Sequence, residues 1–247
     1  MEFFFGKNNY MSLRKVFLKS KFSYKIYLIY NLFIRHKAFL KRSSYSQWGE
    51  DLEIVNFFEN KKNGKYLDIG CFHPLMYSNT CLLYQNKWSG INIDLNQTTI
   101  DLFNILRPND INLCRIIGSE DKKVKVYFDG LFSPVNTADE TFYNKHKKKF
   151  FKNVFIRKVI SQKLKEIITK NKLSKKIDFV NIDAEGMDYK ILKQINLKKL
   201  KVSLVAIECH HFNGTKTEDY SKILDFFKKN SFSLLKRFGC TSLFRKN

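Results

Sequence analysis

The segment Lys65-Tyr66-Leu67-Asp68-Ile69-Gly70 constrains the fold of this chain more than any other stretch. A short apolar run carrying one acid and stopped by a glycine reads as a buried strand whose end turns tightly. The run at 90–95, GINIDL, reads as a second strand and carries Asp94, 26 residues after Asp68 (94 − 68). Runs at 111–117, 177–182 and 202–208 read the same way. Between them, helical patterns are predicted at 46–59 (Ser46 as N-cap, Glu50 and Asp51 in the first turn), 77–85, 98–106, 161–171, 189–195 and 217–230. Strands alternating with helices specify an α/β domain, a parallel sheet with helices on both faces, whose ligands bind at the carboxyl ends of the strands. Two last strands, 232–236 and 241–244, have only Phe238-Gly239 and neighbours between them, so they form an antiparallel edge pair. An extra strand is expected at 124–128. Residues 129–151 show no period and read as a polar, functional loop.

The length of 247 residues fits one domain, 45–247, with an N-terminal basic and aromatic appendage, 1–44. The stretch at 22–39, FSYKIYLIYNLFIRHKAF, fits one or two helices flanked by Lys19, Lys21, Arg35, Lys37, Lys41 and Arg42. Two readings stay open for it: a helix lying on an anionic membrane, or one packed against the domain or a second copy. No apolar run reaches the ~18 residues that span a bilayer. No small-residue cleavage site follows an apolar core at the start of the chain. Cys71, Cys81, Cys114, Cys209 and Cys240 lack zinc-like spacing and read as free thiols in a reducing compartment. The expectation is a cytoplasmic protein, peripheral at the inner face of the membrane. The net charge of +22 is spread along the whole chain, so it speaks to solubility and anionic attraction rather than to one nucleic-acid stripe.

Four strand ends carry chemistry. After Gly70 the chain runs Cys71-Phe72-His73-Pro74, with no glycine nest for a diphosphate. Asp94, at the end of the next strand, is placed to accept both hydroxyls of a ribose. Together these specify a nucleoside cofactor without a diphosphate. With the antiparallel sheet ending, which separates methyltransferase-like sheets from most dinucleotide-binding ones, S-adenosylmethionine is the cofactor expected. The third strand end, Asp183-Ala184-Glu185-Gly186, and a fourth, Glu208-Cys209-His210-His211, gather acids and imidazoles that serve as general base, sugar-hydroxyl ligand or divalent metal site. Glu185 can equally serve the N-terminus of the helix that follows it.

The blocks YSQWGEDL (45–52), YLDIGCFHPLMYSNT (66–80), INIDLN (91–96), DFVNIDAEGMDYKIL (178–192) and AIECH (206–210) resemble the FkbM family of methyltransferases over roughly residues 45–245. The resemblance implies the class I, Rossmann-like fold: a seven-stranded, mostly parallel sheet with an antiparallel terminal strand. It also implies O-methylation of a sugar hydroxyl in a glycan or natural product. By position, Asp68, Gly70 and Cys71 would line the methionine end of the cofactor, and Asp94 with Leu95 the ribose. Gly118 and Ser119 would lie by the adenine, Gln47 and Asp51 would cover the pocket, and Asp183 and Glu185 would face the acceptor. From the strand-end cluster itself, His211 is a further expected substrate residue. Asp183 or His210 is the expected base, with Glu208 as orienter. Asp183 and Glu208 would hold Mg²⁺ if a divalent metal takes part. Phe72 and Pro74 depart from the commoner small-residue loop of the family. The competing expectations are an RNA 2′-O-methyltransferase, which the absence of a catalytic Lys signature disfavours, and a non-catalytic membrane-tethering module, which the retained Asp68, Asp94 and Asp183 disfavour.

Overall fold

The structure is a computed structural model and describes residues 20–171 and 176–247. The chain divides into two compact units at Arg42 and Ser43. In the first, Ser20 caps α1 (Lys21–Tyr30) by accepting the Ser23 amide at 3.1 Å. A wide turn, closed by His36 N–H donating to the Asn31 carbonyl at 3.2 Å, follows, and then a single tight turn at Lys37–Phe39. The part of the appendage before Ser20, including Lys19, lies outside the described residues.

The second unit runs α2 (Glu50–Phe57), β1 (Lys65–Ile69), α3 (Cys81–Gln85), β2 (Ser89–Asp94), α4 (Gln97–Leu106), β3 (Ile111–Cys114), β4 (Lys123–Asp129), α5 (Glu140–Phe150), β5 (Val154–Ile160), α6 (Leu164–Lys170), β6 (Phe179–Ile182), α7 (Asp188–Leu192), β7 (Leu204–Glu208), α8 (Tyr220–Lys229), β8 (Phe232–Phe238) and β9 (Thr241–Lys246). Seven strands form one sheet in the order β3-β2-β1-β6-β7-β9-β8. The first five are parallel, while β9 is antiparallel to both β7 and β8. This is the Rossmann-like methyltransferase architecture, with its antiparallel ending.

Register decides what each face holds. Leu67 pairs with Ile91 and Val180, and Ile69 with Ile93 and Ile182, so these side chains share one face. They pack with Leu164 and Ile167 of α6, Ile191 and Leu192 of α7, and Ile223 and Phe227 of α8. Removing a side chain such as Leu67, fully buried there, costs about 2–5 kcal/mol. The opposite face carries Tyr66, Phe179, Leu204 and Ala206 against Ile54 of α2 and Leu83 of α3. Towards the strand ends that second face turns polar, with Asp68, Asn92 and Asn181 buried on it, and the site lies beyond the carboxyl ends of the strands.

Several expected boundaries shift. The helix expected from Ser46 starts at Glu50, because Ser46 closes the preceding turn instead: its hydroxyl accepts the Gly49 and Asp51 amides at 3.0 and 3.2 Å. The helix expected at 77–85 begins at Cys81, and the third strand ends at Cys114. The stretch read as loop at 129–151 contains α5, which Asp139 caps by accepting the Phe142 amide at 2.8 Å. β5 was not expected at all, and it pairs with β4 as a separate two-stranded sheet.

Candidate active site

At the carboxyl end of the sheet the chain leaves β1 through Gly70, whose φ is +78°. A Cβ added there would stand 1.6 Å from the Asp183 carbonyl oxygen, so only glycine lets β1 and β6 close at this point. Its amide donates to the Ile93 carbonyl at 2.8 Å. Three strand ends are thereby locked around one cleft, lined by Gly70, Phe72, Asp94, Leu95, Asp183 and Glu185 among others. The cleft is open to solvent on one side, and the free space out to its mouth, solvent included, is about 580 Å³.

The acids expected together divide into two groups. Asp68 is buried beneath the cleft rather than lining it. Its carboxylate accepts the Thr80 hydroxyl at 2.6 Å and the Asn181 amide at 2.9 Å. Burial raises its pKa, and those hydrogen bonds and nearby Arg107 oppose the rise. Arg107, also buried, donates to Thr80 at 2.7 Å, to Ser78 at 2.8 Å and to the Pro74 carbonyl. Asn181 in turn accepts from Asn79 at 2.9 Å. The Ser78-Asn79-Thr80 block therefore ties the loop after β1 to the underside of the sheet.

Asp94 lies at the cleft, half-buried, with its oxygens accepting the Asn96 amide at 2.7 Å and the Phe72 amide at 3.3 Å. Burial pushes its carboxyl up to about 7 despite those donors. Asp183 lines the cleft and is exposed to solvent there. Loss of bulk water and the nearby Asp188, Asp68, Glu50 and Asp94 carboxylates raise its pKa. Glu185 and Glu208 are raised well above the usual carboxylate range, first by burial and then by Asp183 and one another's neighbours. Asp188, the first residue of α7, closes the turn before the helix: its carboxylate accepts the Ala184 and Gly186 amides at 2.9 and 3.2 Å. Glu185 sits at φ +45°, a strained backbone for a residue with a side chain.

The other expected residues fall elsewhere. His210 is buried against the Tyr220 ring at 5.1 Å and does not line the cleft; burial, with Arg237, Lys216 and His211, lowers its pKa. His211 faces Glu218 at 3.7 Å. Asp51 is fully buried and organises its own loop, accepting Ser44 and Ser46 hydroxyls at 2.7 Å each and the Tyr45 amide at 2.6 Å. Gln47 and Ser119 are exposed, and neither lines the cleft. Cys71 is buried, and burial pushes its thiol well up.

One wall was not anticipated in detail. The segment 131–138 folds over the cleft and contributes Ser133, Pro134, Asn136 and Ala138. It is fastened at three points: Asn96 donates to the Leu131 carbonyl at 2.9 Å, Phe132 stacks on Phe72 at 4.7 Å, and the Thr137 hydroxyl donates to the Glu185 carbonyl at 2.8 Å. Asn136 accepts the Asp129 amide through Oδ1 at 2.9 Å, which fixes the amide orientation. Its Nδ2 is left buried without a hydrogen-bond partner in the protein. A buried donor without a partner asks for an explanation, and Asn136 is one of the residues that line the cleft.

Residues 60–234 match the methyltransferase FkbM domain, well over half of the chain. The chain belongs to the FkbM family of methyltransferases. Comparison with curated proteins finds no match. For an FkbM methyltransferase, S-adenosylmethionine is the methyl donor that membership implies. The departure of this member at Phe72–Pro74 has a structural reason. His73 Nδ1 accepts the Leu75 and Met76 amides at 3.1 and 3.0 Å, Pro74 accepts from Arg107, and Phe72, at φ +40°, stacks on the wall. Side-chain anchors do here what small residues do by fitting closely. The Mg²⁺ expectation finds no support: among the described residues no group of three His, Cys, Asp or Glu side chains is arranged to hold a metal ion. Among the described residues, no helix of this FkbM protein is long and apolar enough to cross a membrane.

Proposed function

We propose that this protein transfers a methyl group from S-adenosylmethionine to a hydroxyl of a sugar, in a glycan or a glycosylated natural product. The observation that carries the reading is the Asp183 carboxyl, open to the cleft at the end of β6 and raised by burial and neighbouring acids. A carboxylate tuned upwards is a better proton acceptor, and a base works best with its pKa near the working pH.

Two groups at the cleft support the donor reading. Asp94 offers carboxylate oxygens to a ribose, and Asn136 Nδ2 offers an unmet donor to the purine or its sugar. The acids around Asp183 favour a cationic ligand over an anionic one. Bound there, S-adenosylmethionine supplies a methyl group on a positively charged sulfur. The protein holds the acceptor oxygen in line with that methyl, a positioning effect of about 7–11 kcal/mol at best. Asp183 would take the hydroxyl proton as the oxygen–carbon bond formed and the carbon–sulfur bond broke, the sulfur leaving with both electrons as the neutral thioether S-adenosylhomocysteine. Glu208, which shares the acidic neighbourhood, orients the acceptor or shares that proton. Glu185 faces the same mouth. Asp68 acts from below, as a positioning residue for the β1 loop. His210 has no part in this scheme, because its ring is turned into the α8 contact. The acidic mouth also disfavours RNA, whose phosphates it would repel.

The test is methyl transfer from labelled S-adenosylmethionine to glycans extracted from the source cells. The reading expects label in sugar-containing fractions, and mass spectrometry of glycans from cells lacking the gene should show species one methylene lighter. Label in RNA and none in glycan would contradict it.

A further inference from the structure

We propose that the first unit docks on an anionic lipid bilayer, with one side of α1 lying in the interface. Phe22, Ile26, Ile29 and Phe33 are 75%, 43%, 52% and 43% exposed. Their spacing, i, i+4, i+7 and i+11, puts them along one side of the helix and its continuing turn. Tyr30 and Ile34 widen the stripe and are also exposed. Leu28 and Leu32 are buried, so the helix has a separate apolar side and the stripe is surplus to it. A contiguous exposed apolar stripe of this kind marks a surface that meets something.

Charge says what it meets. From residue 20 to residue 44 the chain carries six cations, Lys21, Lys25, Arg35, Lys37, Lys41 and Arg42, and no acid. All six are exposed. A cationic rim around an apolar stripe is the composition that binds acidic headgroups, each cation adding attraction near an anionic surface. A second copy fits poorly, since two stripes face to face would bring six cations against six with no acid between them. Spanning is excluded for α1 by length: ten residues rise about 15 Å, half of the ~30 Å hydrocarbon core. The helix lies in the plane of the membrane surface.

The experiment uses the full chain and sedimentation with vesicles, either phosphatidylcholine alone or phosphatidylcholine mixed with phosphatidylglycerol. Wild type binds the mixed vesicles and largely ignores the neutral ones. The variant Phe22→Ser/Ile26→Ser/Ile29→Ser/Phe33→Ser keeps every charge and loses about tenfold or more in vesicle partition, with unchanged melting temperature and S-adenosylmethionine affinity. Equal binding by that variant would mean that charge alone is at work, and would overturn the proposal. So would failure of wild type to bind mixed vesicles. Two other outcomes also overturn it: a wild-type dimer that the substitutions dissolve without any vesicle effect, or a fall in melting temperature showing that the chain itself covers the stripe. Neither outcome bears on the methyltransferase reading, which vesicle binding does not enter.

Discussion

Asp68, in β1, and Asp183, just past the end of the neighbouring β6, are acids at the same end of the sheet, one sealed and one open. Asp68 pairs in register with Asn181, two residues before Asp183. Yet Asp68 is saturated by Thr80 and Asn181 with Arg107 beside it, whereas Asp183 looks into the cleft among other carboxylates. The first arrangement holds a loop, because its hydrogen bonds are spent inside the protein. The second leaves a carboxylate with unspent capacity and a raised pKa, which is what proton transfer requires. Two acids that look alike in sequence are separated by what surrounds them.

The comparison can be broken first at the open acid. Asp183→Asn is expected to lower turnover with labelled donor and extracted glycan by about 10²–10⁴-fold. Its melting temperature should hold or rise, because a charge is removed from an acidic cluster. At the sealed acid the effect moves to stability. Arg107→Met strips Asp68, Ser78 and Pro74 of their cation and should cost about 3–5 kcal/mol in denaturant unfolding. A loss confined to turnover would mean that the sealed network is not structural.

Asp94 lies between the two cases. Its folded pKa of about 7 lies above its unfolded value, so the native state holds a proton that the unfolded state releases. Its stabilising contribution is full below the unfolded pKa and is lost as pH rises towards 7. Asp94→Asn should remove that part of the slope in melting temperature against pH. Ribose binding needs the ionised form, so wild-type affinity for S-adenosylmethionine should rise with pH through about 7. In Asp94→Asn it should be flat and weaker by about 1.5–3 kcal/mol.

The smallest expected effect is at Asn136. Asn136→Asp keeps an oxygen for the Asp129 amide and replaces only the unmet donor. Cofactor affinity should fall about tenfold, or about 1.4 kcal/mol, and melting should fall as pH rises and the buried carboxyl ionises.

How much could be read beforehand follows the same division between enclosed and open. The parallel strands were legible because burial on both faces forces apolar runs, and the edge pair because β8 and β9 have no helix between them. α5 and β5 were not legible, because α5 buries none of its residues and β5 is exposed along most of its length, so neither leaves a period in the sequence. The strand-end acids were visible as residues, but their division into sealed and open was not. Arg107 bonds to groups 27, 29 and 33 positions away, and nothing local marks it. His210 looked like a strand-end base, and only the packing of Tyr220 shows where its ring goes.

The most direct test is calorimetric titration of S-adenosylmethionine into wild type, Asp183→Asn and Asp94→Asn at matched pH. One site per chain in wild type, nearly unchanged affinity in Asp183→Asn and weakened affinity in Asp94→Asn is the predicted result. No binding heat in wild type, or binding that ignores Asp94, would contradict the cleft as the donor site.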